Sequence, residues 1–300
     1  MTSTRTALTP AHLALAITVT MVWGSNFVVV KYALDTIAPL TLATLRFTAV
    51  LIPLVFFVKR PAASWANLAA YGVLIGAGQF GALFVALRAD VTPGLASLLM
   101  QSQLFFTIGL SRVLTGERVR WYQAAALVPA VAGLGVILMH TDGSITLLGL
   151  GLILTASLCW GGGNIVARAA GQVDMLGYVV WASLFAIPPL LALTLVTEGW
   201  PIMLSGIRAA GPATWAVVAW QAIGNTMFGY GVWGWLLARY PAATVSPLAL
   251  LIPIFGMGSS ALMLGEPLQD WKLLAAALVM SGLAFGVLWP RLAGRDKAVA

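Results

Sequence analysis

Runs of about 20 apolar residues with few or no charges, each long enough to cross a hydrocarbon core about 30 Å thick as a helix, recur ten times in this 300-residue chain. Their approximate bounds are Ala11–Val30, Ala38–Val58, Leu68–Leu87, Val91–Ser111, Trp121–Met139, Ile145–Ala167, Met175–Thr197, Ala213–Leu237, Tyr240–Leu264 and Leu273–Leu288. Arg46 is the only charged residue well inside one. A soluble domain carries roughly 25% charged residues, whereas this chain has 8%, with 60% hydrophobic residues and a mean hydropathy of +0.95. Ten such spans leave about 100 residues for nine connections and two tails, too few for an extramembrane domain. The runs are continuously apolar rather than alternating, which excludes an outer-membrane barrel. The first is longer than a signal-peptide core and lacks a cleavage site leading into a soluble chain, so it is read as a span. The expected fold is all-α and integral to the membrane.

With ten spans both termini share one side. Placing them in the cytoplasm assigns it Arg5, Lys59, Arg60, Arg112, Arg118, Arg120, Arg168, Arg239, Arg291, Arg295 and Lys297, against Lys31, Arg88, Arg208 and Lys272 on the opposite face. The positive-inside rule therefore favours cytoplasmic termini, eleven to four. The net charge of +7 is topological. These basic residues are scattered over short segments rather than gathered on one surface, so no nucleic-acid partner is expected.

Two pairs of segments repeat. Trp23-Gly24-Ser25-Asn26 through Lys31 matches Trp160-Gly161-Gly162-Gly163-Asn164 through Arg168. Ser97, Phe106, Gly116-Glu117, Trp121 and an Ala-Ala-Ala-Leu-Val stretch match Ser246, Phe255, Gly265-Glu266, Trp271 and the same stretch. Each unit holds five spans, and an odd number makes the second copy enter the membrane from the opposite side. The expected organisation is residues 1–142 as one five-helix repeat and 143–300 as its inverted copy. Inverted repeats build secondary transporters, with the site near the midplane between halves.

The Trp-Gly-Ser-Asn-Phe opening at Trp23–Phe27, Pro39 followed by Leu45-Arg46-Phe47, and the Gly116-Glu117 and Gly265-Glu266 segments with their Ala-rich helices resemble the drug/metabolite transporter superfamily, in its EamA-type branch. The resemblance covers nearly the whole chain. It extends to bacterial inner-membrane exporters of amino acids, the YddG-like group included, and implies ten helices, cytoplasmic termini and a central cavity. The added glycine in Trp160-Gly-Gly-Gly-Asn departs from the pattern.

Polar side chains inside a membrane are expensive unless they face the bundle interior, which makes them candidates for a substrate site. Trp23 with Asn26, and Trp160 with Asn164, lie on single helical faces related by the repeat. Ser97 and Gln101 share a face, while Gln103 points about 200° away. Gln79 with Phe80, Gln221 with Asn225, Tyr230, and Ser246 as the match of Ser97 complete the candidates. Each amide has an alternative role as interhelical glue. Pro247 and Pro253 are expected to kink the ninth span or free carbonyls toward a cavity. Arg46 is either a structural residue contacting carbonyls or a partner for a substrate carboxylate.

No Asp or Glu lies deep in any span, which disfavours cationic drugs and carboxylate-based proton coupling. Enzyme motifs, metal-ligand spacings and phosphate loops are missing, and the lone Cys159 permits neither an intramolecular disulfide nor a thiolate cluster. Neither enzyme activity nor a cofactor or metal is expected. An aromatic-lined cavity with neutral amides suits a zwitterion with a hydrophobic side chain. The expected function is export of amino acids, aromatic and large neutral ones included, across the bacterial inner membrane. Alternating access would be facilitative or by exchange, in a monomer or weak dimer whose partners are lipid and a small substrate. The alternative is export of another small metabolite or drug, such as a nucleobase or purine analogue.

Overall fold

Prolines start the helices and small polar caps fix their entry. Pro10, Pro39, Pro93, Pro201 and Pro212 occupy first-turn positions, where the missing N–H costs nothing. The side chains of Thr9, Ser64, Thr146 and Asp174 each accept a bond from a free N–H of the turn they open. The computed structural model describes residues 8–140 and 143–295, without the side chains of 242–243 and 290–295; Arg5 and Lys297 lie outside the described residues.

Eleven helical stretches follow one another: α1 Pro10–Leu34, α2 Pro39–Leu54, α3 Trp65–Ala89, α4 Pro93–Leu114, α5 Trp121–Leu138, α6 Leu147–Ala169, α7 Met175–Glu198, α8 Trp200–Ala209, α9 Pro212–Leu237, α10 Ser246–Leu264 and α11 Asp270–Arg295. Eight are long and apolar enough to cross a membrane, α8 and α9 pass that test as a pair bent by 105°, and α2 is an apolar helix of 16 residues. Among the described residues the protein is all-helical and contains no named strand. The ninth apolar window, Tyr240–Leu264, is not one regular helix. A short turn over Ala242–Val245 leads into a 3-10 stretch, Ser246–Leu251, before the α-helix resumes at Ile252. The cause is Pro247 and Pro253, which have no N–H to donate. Three π-helical segments, Val73–Gly81 in α3, Gln221–Phe228 in α9 and Thr194–Glu198 in α7, carry no simple sequence signal. In the second, the Thr226 hydroxyl donates to the Gln221 carbonyl five residues back, at 2.9 Å.

The bundle is built from a few dominant pairings: α5 with α11, α2 with α7, α1 with α10, α4 with α6, and α3 with both α6 and α7. Two crossings use the matched sequence segments. Gly24 of α1 lies against Phe255 and Gly256 of α10, so a Cβ there would sit 2.7 Å from Phe255 Cβ; Gly161 of α6 lies against Phe106 and Thr107 of α4, with 3.0 Å to Phe106 Cβ. Lipid offers no hydrophobic drive for helix association, so close approach of small residues does that work.

Glu198, where α7 ends, caps α2. Its carboxylate accepts from the Leu40 and Thr41 N–H groups at 2.7 and 3.0 Å and from the Thr41 hydroxyl at 2.7 Å. An anion at a helix N-terminus satisfies orphan donors and complements the dipole. Glu198→Ala is expected to cost about 1–2 kcal/mol, read as a lowered midpoint of thermal unfolding in detergent, whereas Glu198→Gln should lose less.

Candidate functional site

Three helices, α1, α2 and α9, bring one group of interior polar side chains together, and α3 adds an aromatic face. Arg46, from the middle of α2, is 2% exposed, and its Nη1 donates to Gln221 Oε1 of α9. Gln221 Nε2 donates to Asn26 Oδ1 of α1 at 2.6 Å, and Asn225 Nδ2 donates to Gln221 Oε1 at 3.3 Å. The Trp23 indole N–H reaches the Asn225 carbonyl at 3.2 Å. The Arg46 guanidinium lies over the Phe80 ring of α3, 3.8 Å from its centroid, an arrangement that gains from cation–π attraction in a desolvated setting. Tyr230 packs on Trp23 with ring centroids 5.5 Å apart and lies within electrostatic reach of Arg46.

This cluster is electrostatically incomplete. Arg46 Nε is buried without a hydrogen-bond partner among the described residues, and so is Trp220 Nε1. Among the described residues the ion pairs are Arg168–Glu117 and Lys272–Glu266, so no carboxylate faces Arg46. Gln79, Tyr71 and Tyr230 make no side-chain hydrogen bond among the described residues, although Gln79 and Tyr71 are each 5% exposed. Buried donors such as Arg46 Nε and Trp220 Nε1 require water or a ligand. A site with a cation, neutral amides and aromatic faces can hold a carboxylate attached to an apolar body.

The expected residues separate into groups. Trp23, Asn26, Arg46, Phe80, Gln221, Asn225 and Tyr230 come together. Asn164 belongs to a second cluster, donating to Gln103 Oε1 at 2.7 Å and to the Thr107 hydroxyl at 3.1 Å. Trp160, one turn before it on α6, is half-buried against the core. Gln101 points another way, and its Nε2 donates to the Ala249 carbonyl at 3.3 Å. That carbonyl lacks an α-helical donor because Pro253 stands four residues on. The divergence of Gln101 and Gln103 follows their spacing, sharpened by a 3-10 turn over Met100–Ser102. Ser97 is buried, bonded to the Gly94 carbonyl at 2.7 Å and packed on Gly256. Its match Ser246 is exposed, as the first residue of the 3-10 stretch.

Sequence reasoning missed Gln103 and Thr107, whose one-turn spacing on α4 faces Asn164. It also missed Asn67, which donates to the Val166 carbonyl at 2.7 Å and accepts from the Tyr178 hydroxyl at 2.7 Å. The carboxylate of Glu198 carried one signal only, a position beside Gly199 where the chain turns, whereas Glu266 stood in the internal repeat without a role being read from it.

Comparison with known proteins agrees with this architecture. The family model described as "EamA-like transporter family" matches twice, over residues 11–139 and 147–288. A protein of Escherichia coli K12 named "Probable amino-acid metabolite efflux pump" is 38% identical, over 92% of this chain and 95% of its own. A Salmonella typhimurium protein of the same name is 38% identical over 91% and 93% of the two chains. The "Probable terminal-alkyne amino-acid exporter" of Streptantibioticus cattleyicolor is 26% identical over 92% and 93%. A solved crystal structure superposes over 94% of this chain and 98% of its own with a TM-score of 0.60 at 20% identity, a likeness of fold. With an all-helical bundle, apolar spans and two copies of the family model along most of its length, the chain belongs to the EamA-like transporter family, as a multi-pass membrane protein.

Proposed function

We propose that the protein exports amino acids, aromatic and large neutral ones included, across the bacterial inner membrane by alternating access. The observation that carries this reading is the buried Arg46 guanidinium, held between the Gln221 amide and the Phe80 ring and without a carboxylate partner among the described residues. An unpaired cation in a bilayer is costly, and a substrate carboxylate offsets that cost while its side chain packs on Phe80, Trp23 and Tyr230. The printed names of the relatives point to the same class of cargo.

In this reading α1–α7 and α9–α11 are the ten spans, with α8 a connecting helix, and residues 1–142 and 143–300 form two inverted halves with both termini in the cytoplasm. Support comes from the helix pairings. Exchanging the first five spans with the last five converts the α1–α10 contact into α6–α4 and leaves the α2–α7 and α5–α11 pairings unchanged, and all four are dominant contacts. Rocking of the halves would expose the Arg46 and Asn26 cluster, and with it the region of Trp160 and Gln101, first to the cytoplasm and then to the outside. With no acid deep in a span, transport runs down a gradient or by exchange.

The test is counterflow in liposomes loaded with unlabelled amino acid, following labelled Trp, Phe, Thr and Met with and without a pH gradient. Uptake independent of the gradient is expected. No uptake of any of the four by folded protein would move the cargo to a nucleobase or another small metabolite. Trp160→Ala and Gln101→Ala are each expected to lower counterflow about tenfold or more with normal folding. Unchanged rates in both would remove these two residues from the site.

A further inference from the structure

Glu117 and Glu266 occupy matched positions, and one constant offset also relates Ser97 to Ser246 and Ser111 to Ser260. Each glutamate follows a glycine in the left-handed region, Gly116 at φ 71° and Gly265 at φ 67°, a conformation that ends the helix and that other residues rarely adopt. The two carboxylates nevertheless stand in opposite situations. The Glu266 side chain is 6% exposed. It accepts from the Thr92 hydroxyl at 2.5 Å, the Gly94 N–H at 3.1 Å, the Ser260 hydroxyl at 2.5 Å and Lys272 Nζ at 3.1 Å. It thereby ties the N-terminal turn of α4 to the end of α10 and the start of α11. The Glu117 side chain is 55% exposed and, among the described residues, meets only Arg168, itself 51% exposed, at 3.1 Å. Arg168 also donates to the hydroxyl of Ser111, the match of the serine that binds Glu266.

The helix ends that these carboxylates address differ in the same sense. Residues 97–102 of α4 are all buried, as are the residues from Pro93 that precede them. Of their match Ser246–Leu251, at the start of α10, none is buried, although Val245 just before it is. The matched segment is buried where its glutamate is engaged by four donors, and more open where its glutamate meets Arg168 at the surface.

We propose that Glu266 and Glu117 are reciprocal latches: Glu266 holds the start of α4 closed at the face bearing Lys31, Arg88 and Lys272, and Glu117 takes the start of α10 when the opposite face closes. The proposal rests on the alternating-access reading. Charge-assisted bonds from a carboxylate to a helix N-terminus are strong and directional, so each latch stabilises one closed face. The latches are unequal. Pro241 stands where Thr92 does, and Tyr122 stands where Lys272 does, so Glu117 lacks two of the donors that hold Glu266. The protein accordingly rests with the Glu266 face shut.

The test places one reporter thiol at each matched serine, Ser97→Cys or Ser246→Cys, in a Cys159→Ser background, and follows labelling by a membrane-impermeant maleimide from each side of oriented vesicles. With both glutamates present, labelling at 246 is expected to be fast and at 97 slow. Glu266→Ala should raise labelling at 97 about tenfold and lower it at 246, as a shift of the equilibrium by ~1.4 kcal/mol requires. Glu117→Ala should move both in the opposite direction by less. Glu266→Gln, which keeps the shape, guards against a folding defect and should give an intermediate shift. If both Glu266 variants, folded by size-exclusion chromatography, leave position 97 protected, or raise both rates together, the latch is overturned. If the two rates also fail to move oppositely when Phe, Trp, Thr or Met is added to protein with both glutamates, alternating access itself falls, and the latch with it.

Discussion

Arg46→Met is expected to abolish amino-acid counterflow, by about 100-fold or more, while leaving thermal stability unchanged or raised. The two readouts separate the possible roles of this residue. A guanidinium that served only to hold helices would, on removal, strand its partner and lower stability. Here Gln221 Oε1 keeps a second donor in Asn225 Nδ2 at 3.3 Å, and the Arg46 charge has no carboxylate partner among the described residues. Replacing a buried, poorly compensated ion by an apolar side chain of similar length is often neutral or stabilising. Methionine also retains contact with the Phe80 ring, over which the guanidinium lies at 3.8 Å. Losing a charged partner for a substrate carboxylate costs roughly 3–5 kcal/mol, which is the source of the rate expectation. Arg46→Lys should fall between, because it keeps the charge but lacks the planar fork and the stacking face. Counterflow at the normal rate in Arg46→Met would place the guanidinium outside the transport path; a collapse of stability would make it structural.

The largest effect on folding is expected at Gly24. A Cβ on Gly24 would lie 2.7 Å from Phe255 Cβ and 2.9 Å from the Gly256 nitrogen, and the obstacles are backbone and Cβ atoms that cannot rotate away. Gly24→Val should separate α1 from α10 and destabilise the protein by about 3 kcal/mol or more, seen as loss of the monodisperse peak in detergent after mild heating. The matched Gly161→Ala meets atoms at 3.0 Å, so a small shift can accommodate it and a loss of about 1 kcal/mol is expected. Equal tolerance at both positions would mean that the α1–α10 crossing is looser than its geometry. Gly256 belongs to the same contact, because a Cβ there would overlap Ser97 of α4.

Much of this protein was legible from its residues. Span existence follows from apolar length, and the observed helices reproduce the expected windows within a few residues at most ends, for example Leu147–Ala169 for Ile145–Ala167. The pairing of Trp23 with Asn26 on one face, and the divergence of Gln101 from Gln103, follow from helical periodicity and were realised. The irregular start of α10 was foreshadowed by Pro247 and Pro253. Less was visible where geometry departs from the regular helix. The π-helical segment in α9 is set by packing and by the Thr226 hydroxyl, and it alters which residues Gln221 and Asn225 can meet.

The sequence by itself determined that the chain is a bundle of apolar helices in a membrane, and which of its segments repeat, because apolar length and internal similarity are local properties that need no neighbours to be read. Only the tertiary structure decided which polar groups find each other. Arg46 faces Gln221 from 175 positions away, and Asn164 takes Gln103 rather than joining Asn26. It alone distinguishes Glu266, buried among four donors, from Glu117, exposed with one. Matched residues have the same chemistry, and their environments differ because packing surrounds them with different neighbours; the difference belongs to the assembled bundle and not to either segment.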